Sequence, residues 1–314
     1  MSIAIDHERA ANTDADADEE RVVVVSAFYC FAQVADPAAF RDAIADVGAG
    51  AGVMGGVLVA EEGINGTIAG HSDGVAAVLA FVRAQPGFQA LRDRAAMTST
   101  MPFVRLKVEV KPEIVTFRQP GVDPSRGVGR YVGPEEWNAL VDDPDVTVID
   151  TRNDFEVQLG TFRGAKNPKT TSFTEFPRYV EQTLHDKNQT VAMFCTGGIR
   201  CEKATAYLLA QGFTDVVHLE GGILRYLADV AEDDSRFVGR CFVFDGRVSV
   251  GHGLVAGDDV VCYGCYAAVD VDGQQSEHYE AGVSCPRCVG TASPEKMAAR
   301  RMRHRHRLAS TTTS

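Results

Sequence analysis

The stretch Cys195-Thr196-Gly197-Gly198-Ile199-Arg200 constrains the fold more than any other part of the chain. Before it, Val191-Ala192-Met193-Phe194 reads as a buried strand. After it, Cys201 to Ala210 reads as a helix, so the loop is a strand-to-helix turn of an α/β sheet. A thiol in such a turn faces the unpaired N–H groups and positive dipole end of a helix, which favour thiolate over thiol. Gly197 and Gly198 let the backbone turn its amides inward as an anion nest, and Arg200 adds a planar multi-donor cation. Cys195 and Arg200 are therefore the candidate catalytic residues, with Thr196, Gly197, Gly198 and Ile199 as the loop around them. The plain alternative is an inert cysteine buried in a glycine-rich turn.

The spacing is Cys-x4-Arg, one residue shorter than the phosphate-sized Cys-x5-Arg cradle of protein tyrosine phosphatases. It suits a smaller group such as a persulfide sulfur, and the order of strand, loop and helix resembles the rhodanese family. Cys201 opens the helix and is placed either to resolve an oxidised or persulfidated Cys195 or to point into the core. Asp150-Thr151-Arg152 follows the strand Val146-Thr147-Val148-Ile149. Asp150 and Arg152 either orient Arg200 or tie the loop down by a salt bridge, the structural role being favoured. Lys203 is expected to add positive potential near the loop, and Cys30 and Cys241 read as ordinary buried thiols.

A length of 314 residues implies two or three domains, and an apolar fraction of 45 % supplies real cores. No apolar run approaches the ~18–20 residues of a membrane span. The first twenty residues are polar and acidic, without a signal peptide's basic start and apolar centre, and read as a disordered leader. Eight cysteines grouped as motifs, rather than spread as a disulfide framework, indicate a reducing cytoplasm. A net charge of −12 argues against nucleic acid. Against that, Arg300, Arg301, Arg303, Arg305 and Arg307, interleaved with His304 and His306, form a tail that either lies along phosphates or is simply solvated.

Three blocks follow the leader. Residues 21–118 alternate as β-α-β-β-α-β, with strands at Arg21–Cys30, Val57–Ala60 running into a hairpin-like Gly63–Gly70, and Val104–Val110. Helices read from Pro37 and from Gly74. That order predicts a ferredoxin-like α+β sandwich. Arg105, Lys107 and Lys111 lie on the outer face of its last strand, where they either contact RNA backbone or are solvated. Residues 119–128 form a Pro/Gly-rich linker. Residues 129–236 alternate strands and helices as a parallel α/β domain, with Asp150, Arg152, the Cys195 loop and Glu220 at strand carboxyl ends, where sites in such sheets form.

The last block, residues 237–314, carries Cys262-Tyr263-Gly264-Cys265 and Cys285-Pro286-Arg287-Cys288, two Cys-x2-Cys pairs nineteen residues apart. Cys262, Cys265, Cys285 and Cys288 have the spacing of a zinc ribbon, a closed tetrahedron with no open position for catalysis. Two disulfides or an iron–sulfur site are the alternatives.

These residues together resemble the oxygen-dependent tRNA uridine(34) hydroxylase family. The resemblance rests on Glu61-Glu62-Gly63-Ile64-Asn65-Gly66-Thr67, Val148 to Glu156, Phe194 to Ala204, His218 to Leu224, Cys241 to Asp245, and Val283 to Pro286. It implies an acylphosphatase-like first domain, a rhodanese domain and a cysteine-containing tail. It also implies a tRNA substrate and oxidoreductase chemistry: hydroxylation of the wobble uridine at C5 with O2 as cosubstrate. Cys195 would then be the active-site cysteine, as a thiolate adding at uracil C6 or as a persulfide carrier. No flavin, haem or nicotinamide signature is visible. Lys166 departs from the apolar residue expected there, which bears only on local packing. Without the resemblance, the loop alone supports a persulfide or thiosulfate sulfurtransferase, and a non-catalytic tRNA- or protein-binding module is the third class.

Overall fold

The computed structural model describes residues 22–245 and 247–311, with side chains through His306; the acidic leader lies outside these residues. In the first domain β1 (Val23–Phe31), α1 (Pro37–Gly50), β2 (Met54–Ala60), β3 (Gly63–Gly70), α2 (Ser72–Arg83), β4 (Arg92–Thr98) and β5 (Leu106–Val110) form one sheet and two helices. The sheet order is β4-β1-β3-β2-β5. α1 starts where Pro37 fixes the backbone and Asp36 Oδ1 accepts from the N–H groups of Ala38 and Ala39, 3.0 Å each. Alternate residues of β2 and β3 (Val57, Val59, Ile64, Ile68) are buried against Ile44 of α1 and Val75, Val78 and Val82 of α2.

The sandwich is as expected, but its fourth strand is not the one read from sequence. β4 closes the antiparallel set beside β1, while β5, the predicted last strand, is a fifth strand lying parallel to β2. β4 was missed because Arg92-Asp93-Arg94-Ala95-Ala96-Met97-Thr98 has no apolar alternation. Its Asp93 is instead held by Ser26 at 2.8 Å and Arg83 at 2.6 Å. The basic face of β5 is also not bare, because Glu109 lies between Lys107 (2.8 Å) and Lys111 (3.4 Å).

The second domain is a four-stranded parallel sheet of order β6-β10-β9-β7. The order along the chain is β6 (Arg130–Val132), α3 (Pro134–Asp142), β7 (Thr147–Asp150), α4 (Asp154–Val157), β8 (Gly160–Phe162) and α5 (Phe176–Thr183), followed by β9 (Val191–Phe194), α6 (Ile199–Ala210), β10 (Val216–Leu219) and α7 (Gly222–Asp229). β9 is buried throughout, as a central parallel strand must be. Ala192 and Phe194 pack with Trp137 of α3 and Ile223 of α7, while Val191, Met193 and Cys195 pack with α5 and α6 on the opposite face. Phe117, read as the end of the first domain, stacks on Phe173 at 4.6 Å inside this second core. Lys166 is exposed and pairs only through its backbone with Ile149.

Beyond it, β11 (Phe237–Gly239) pairs with β8, and β12 (Cys241–Phe242) with β13 (Ser249–Val250). Then come β14 (Val260–Val261), its partner β15 (Ala268–Val269), α8 (Val271–Gln274) and α9 (Pro294–Thr311). The arginine-rich tail is thus a helix rather than a loose strand of charge. Arg300 donates to the carbonyls of Gly264 (2.8 Å) and Val283 (3.2 Å), and Arg301 pairs with Glu280. Arg287 reaches back to Gln158 at 2.7 Å. No helix among the described residues is long and apolar enough to cross a membrane.

Candidate active site between the first and second domains

Cys195 ends β9 with its side chain on the α6 face, fully buried. Gly198, at φ +104°, turns its N–H onto Cys195 Sγ at 3.1 Å. A Cβ there would stand 2.8 Å from Tyr29 Oη of the first domain, so glycine is required twice over. α7 fixes the loop from the other side: Ile223 N–H donates to the carbonyl of Cys195 (2.9 Å) and Leu224 N–H to that of Thr196 (3.0 Å).

Burial opposes ionisation of Cys195. It is outweighed by a hydrogen bond from the Cys201 thiol, the Arg200 charge and the backbone N–H groups of Cys201 and Gly198, which bring the thiol down to about 6. Cys201 moves the opposite way: burial, then the charge on Cys195, push it well up. The two shifts are of opposite sign, so Cys195 is the more acidic sulfur of the pair, and Thr151 Oγ1 lies 3.7 Å behind Cys201 Sγ. Burial raises Cys30 to about 11 and Cys241 to about 12, as for ordinary thiols.

Arg200 is held rather than free. Its two terminal nitrogens each lie 2.7 Å from a separate oxygen of Glu156, and one also reaches Thr196 Oγ1 at 3.4 Å. Glu156, fully buried on α4, also accepts from Asn153 N–H at 3.0 Å. It is a site residue that sequence reasoning missed. The only signal was an Asn-x-x-Glu helix start, which reads as local capping. Asp150 and Arg152 do not touch Arg200. They form a fully buried pair with each other at 2.7 Å, and Arg152 and Thr161 bind neighbouring turns to it. The salt bridge read as one alternative is present, made between these two residues.

Lys203 departs from expectation. Its ammonium, 2 % exposed, lies 2.8 Å from Glu62 and 2.8 Å from Glu113 and donates to the carbonyl of Val115 at 2.9 Å. Its charge is matched by two carboxylates, and these contacts clamp the first domain onto α6. The same Glu62 accepts from Ile114 N–H at 2.7 Å, and Asn65 donates to the Ile114 carbonyl at 3.0 Å. This gives the Glu62–Asn65 stretch its physical purpose.

The clamp closes a cavity of 1030 Å³ over Cys195, walled by the first domain, the Cys195 loop and the segment around Phe244. Glu202 enters it from α6, accepting from Tyr29 Oη (2.8 Å) and Tyr131 Oη (2.9 Å) on one oxygen. Burial raises its carboxyl, while the two tyrosine hydroxyls pull the other way. Glu202 and Tyr29 were also missed, since their partnership spans two domains. Glu220, at the end of β10, pairs with Arg92 and Arg225 at the cavity rim.

Outside the lining of this cavity, the sulfurs of Cys262, Cys265, Cys285 and Cys288 all lie within 4.8 Å of one another, with cross-pair separations of 3.7 Å. A tetrahedral site with metal–sulfur bonds of ~2.3 Å has edges of about 3.8 Å, so the four thiolates fit one metal ion. The four sulfurs converge on one point rather than forming two bonded pairs, the arrangement a metal ion uses.

Residues 23–114 match the UPF0176 acylphosphatase like domain and residues 133–229 the rhodanese-like domain. A protein of Agrobacterium fabrum named tRNA uridine(34) hydroxylase is 52% identical over 274 residues, covering 87% of each chain. Proteins of the same name from Rhizobium leguminosarum bv. trifolii (53% identical, 82% of each chain) and Teredinibacter turnerae (49%, covering 87% of this chain and 85% of that one) agree. By its two matched domains and by this identity along most of its length, the chain belongs to the tRNA uridine(34) hydroxylase family.

Proposed function

We propose that the chain is a cytoplasmic oxidoreductase that hydroxylates uridine 34 of tRNA at C5, with O2 as cosubstrate and Cys195 as nucleophile. The observation that carries this reading is Cys195, its thiol lowered by Cys201, Arg200 and the loop N–H groups, at the wall of an interdomain cavity, in a chain whose relatives are named tRNA uridine(34) hydroxylase.

The chemistry follows from the thiolate. Uracil C5 is electron-rich only when C6 carries a nucleophile, so addition of Cys195 at C6 generates an enolate at C5. The Gly198 amide and the held Arg200 keep negative charge stable there. The enolate takes up O2 as a C5 hydroperoxide. The Cys201 thiol, beside Cys195, removes the outer oxygen and becomes a sulfenic acid. Loss of the C5 proton then expels Cys195 and leaves 5-hydroxyuridine. Attack of the freed Cys195 thiolate on the sulfenic acid gives a disulfide and water. In sum, uridine, O2 and two thiols yield hydroxyuridine, water and a disulfide, which an external dithiol must reduce. The four-cysteine cluster would hold structural Zn²⁺, which supplies folding energy and no reaction step.

The test is mass spectrometry of nucleosides after incubating the purified chain, a dithiol reductant and unmodified tRNA with isotopically labelled O2. Labelled hydroxyuridine is expected at the wobble position. Thiouridine instead of hydroxyuridine, in a parallel incubation supplied with thiosulfate as the sulfur donor, would establish sulfur transfer.

A further inference from the structure

Arg94 and Arg92 lie two residues apart on β4, and both border the cavity, together with Gly221 at the N-terminal end of α7. Arg92 and Arg225 share Glu220, and Arg225 also pairs with Asp229 at 3.1 Å. Arg94 differs: among the described residues its guanidinium makes no hydrogen bond or ion pair. It is half-buried beside the cations of Arg92 and Arg225 and the carboxylates of Asp229 and Glu220; burial followed by the Arg225 charge lowers its pKa, and the two carboxylates oppose that without offsetting it. The backbone makes room for it, since a Cβ at Gly221 (φ +72°) would stand 2.4 Å from Arg94 Nη2. Three arginines share two carboxylates that are already engaged by Arg92 and Arg225, so the cluster keeps one half-buried cation for an arriving anion to balance.

We propose that Arg94 is a phosphate-binding residue, its guanidinium fork taking a phosphodiester of the RNA strand next to the base that enters the cavity. This rests on the tRNA reading above and adds how the strand is held. Arg92 and Arg225, tied to Glu220, contribute field, while Arg94 supplies the free donors. A planar fork matches two phosphate oxygens, which a lysine cannot do. The contact carries no base information; it fixes where the strand lies so that one base reaches Cys195.

The test uses the full chain as Cys195→Ser, with binding of fluorescently labelled substrate tRNA followed between about 50 and 200 mM salt. Adding Arg94→Ala should weaken binding about tenfold and flatten the slope of log affinity against log salt by about one. Arg94→Gln, which keeps the stem and its packing, should do the same. Arg94→Lys should keep the slope and lose part of the affinity. If the parent chain binds tRNA and Arg94→Gln matches it in affinity and slope, the site is overturned while the substrate reading stands. A parent chain that does not bind tRNA at all overturns both.

Discussion

Lys203 Nζ stands 2.8 Å from Oε1 of Glu62, so the helix that follows the Cys195 loop is fastened to a different domain by an ion pair whose lysine is buried and whose carboxylate is partly exposed. Lys203→Met removes that charge and leaves Glu62 and Glu113 facing each other. The variant should lose about 2 kcal/mol of unfolding free energy, the worth of a charged hydrogen-bonded group. Proteolysis near residues 111–128 should quicken and KM should rise more than kcat falls. Unchanged proteolysis and kinetics would show that the first domain holds its place without the clamp.

The Cys195 thiol, lowered to about 6, sets a pH signature. Alkylation by iodoacetamide tracks the thiolate, so its rate should climb through pH 6 and level off above about pH 7. A midpoint near the usual ~8.5 would place the sulfur in its protonated form at neutral pH.

Addition at C6 can be trapped. Substrate tRNA with 5-fluorouridine at the wobble position has no C5 proton to release, so a covalent complex should accumulate on Cys195 and vanish in Cys195→Ser. Turnover of normal tRNA with no such complex would redirect the mechanism to a persulfide.

Glu156→Ala leaves Arg200 buried without its carboxylate. Breaking a buried pair from one side costs about 3–5 kcal/mol, which thermal unfolding should register as a large drop. Glu156→Gln should recover part of it by retaining one acceptor.

Glu202 gives the opposite sign. Its folded carboxyl is raised, so the unfolded chain holds fewer protons than the native one over that range, and stability falls as pH climbs through it. Glu202→Gln mimics the protonated form and still accepts from Tyr29 and Tyr131. Its melting temperature should exceed that of the parent near neutral pH and converge with it in acid.

What the sequence disclosed and withheld follows one physical divide. The Cys195 loop was legible because its strand, glycines and helix are neighbours along the chain, and the four-cysteine cluster because ligand spacing is itself a signal. β4 was hidden because its partners are ionic, with Asp93 between Ser26 and Arg83, so no apolar rhythm marks it. Glu156, Glu202 and the true role of Lys203 were hidden because each acts across 44 to 173 residues of sequence. Charge read from composition suggested free cations at Lys203 and Arg300, and only packing shows them already spoken for.

Gly198 has Tyr29 of the other domain pressed so close that not even a methyl group fits between them. A drift in either partner is therefore felt at the reacting sulfur. Neither half of this chain can then be exchanged for an unrelated one without disturbing that contact.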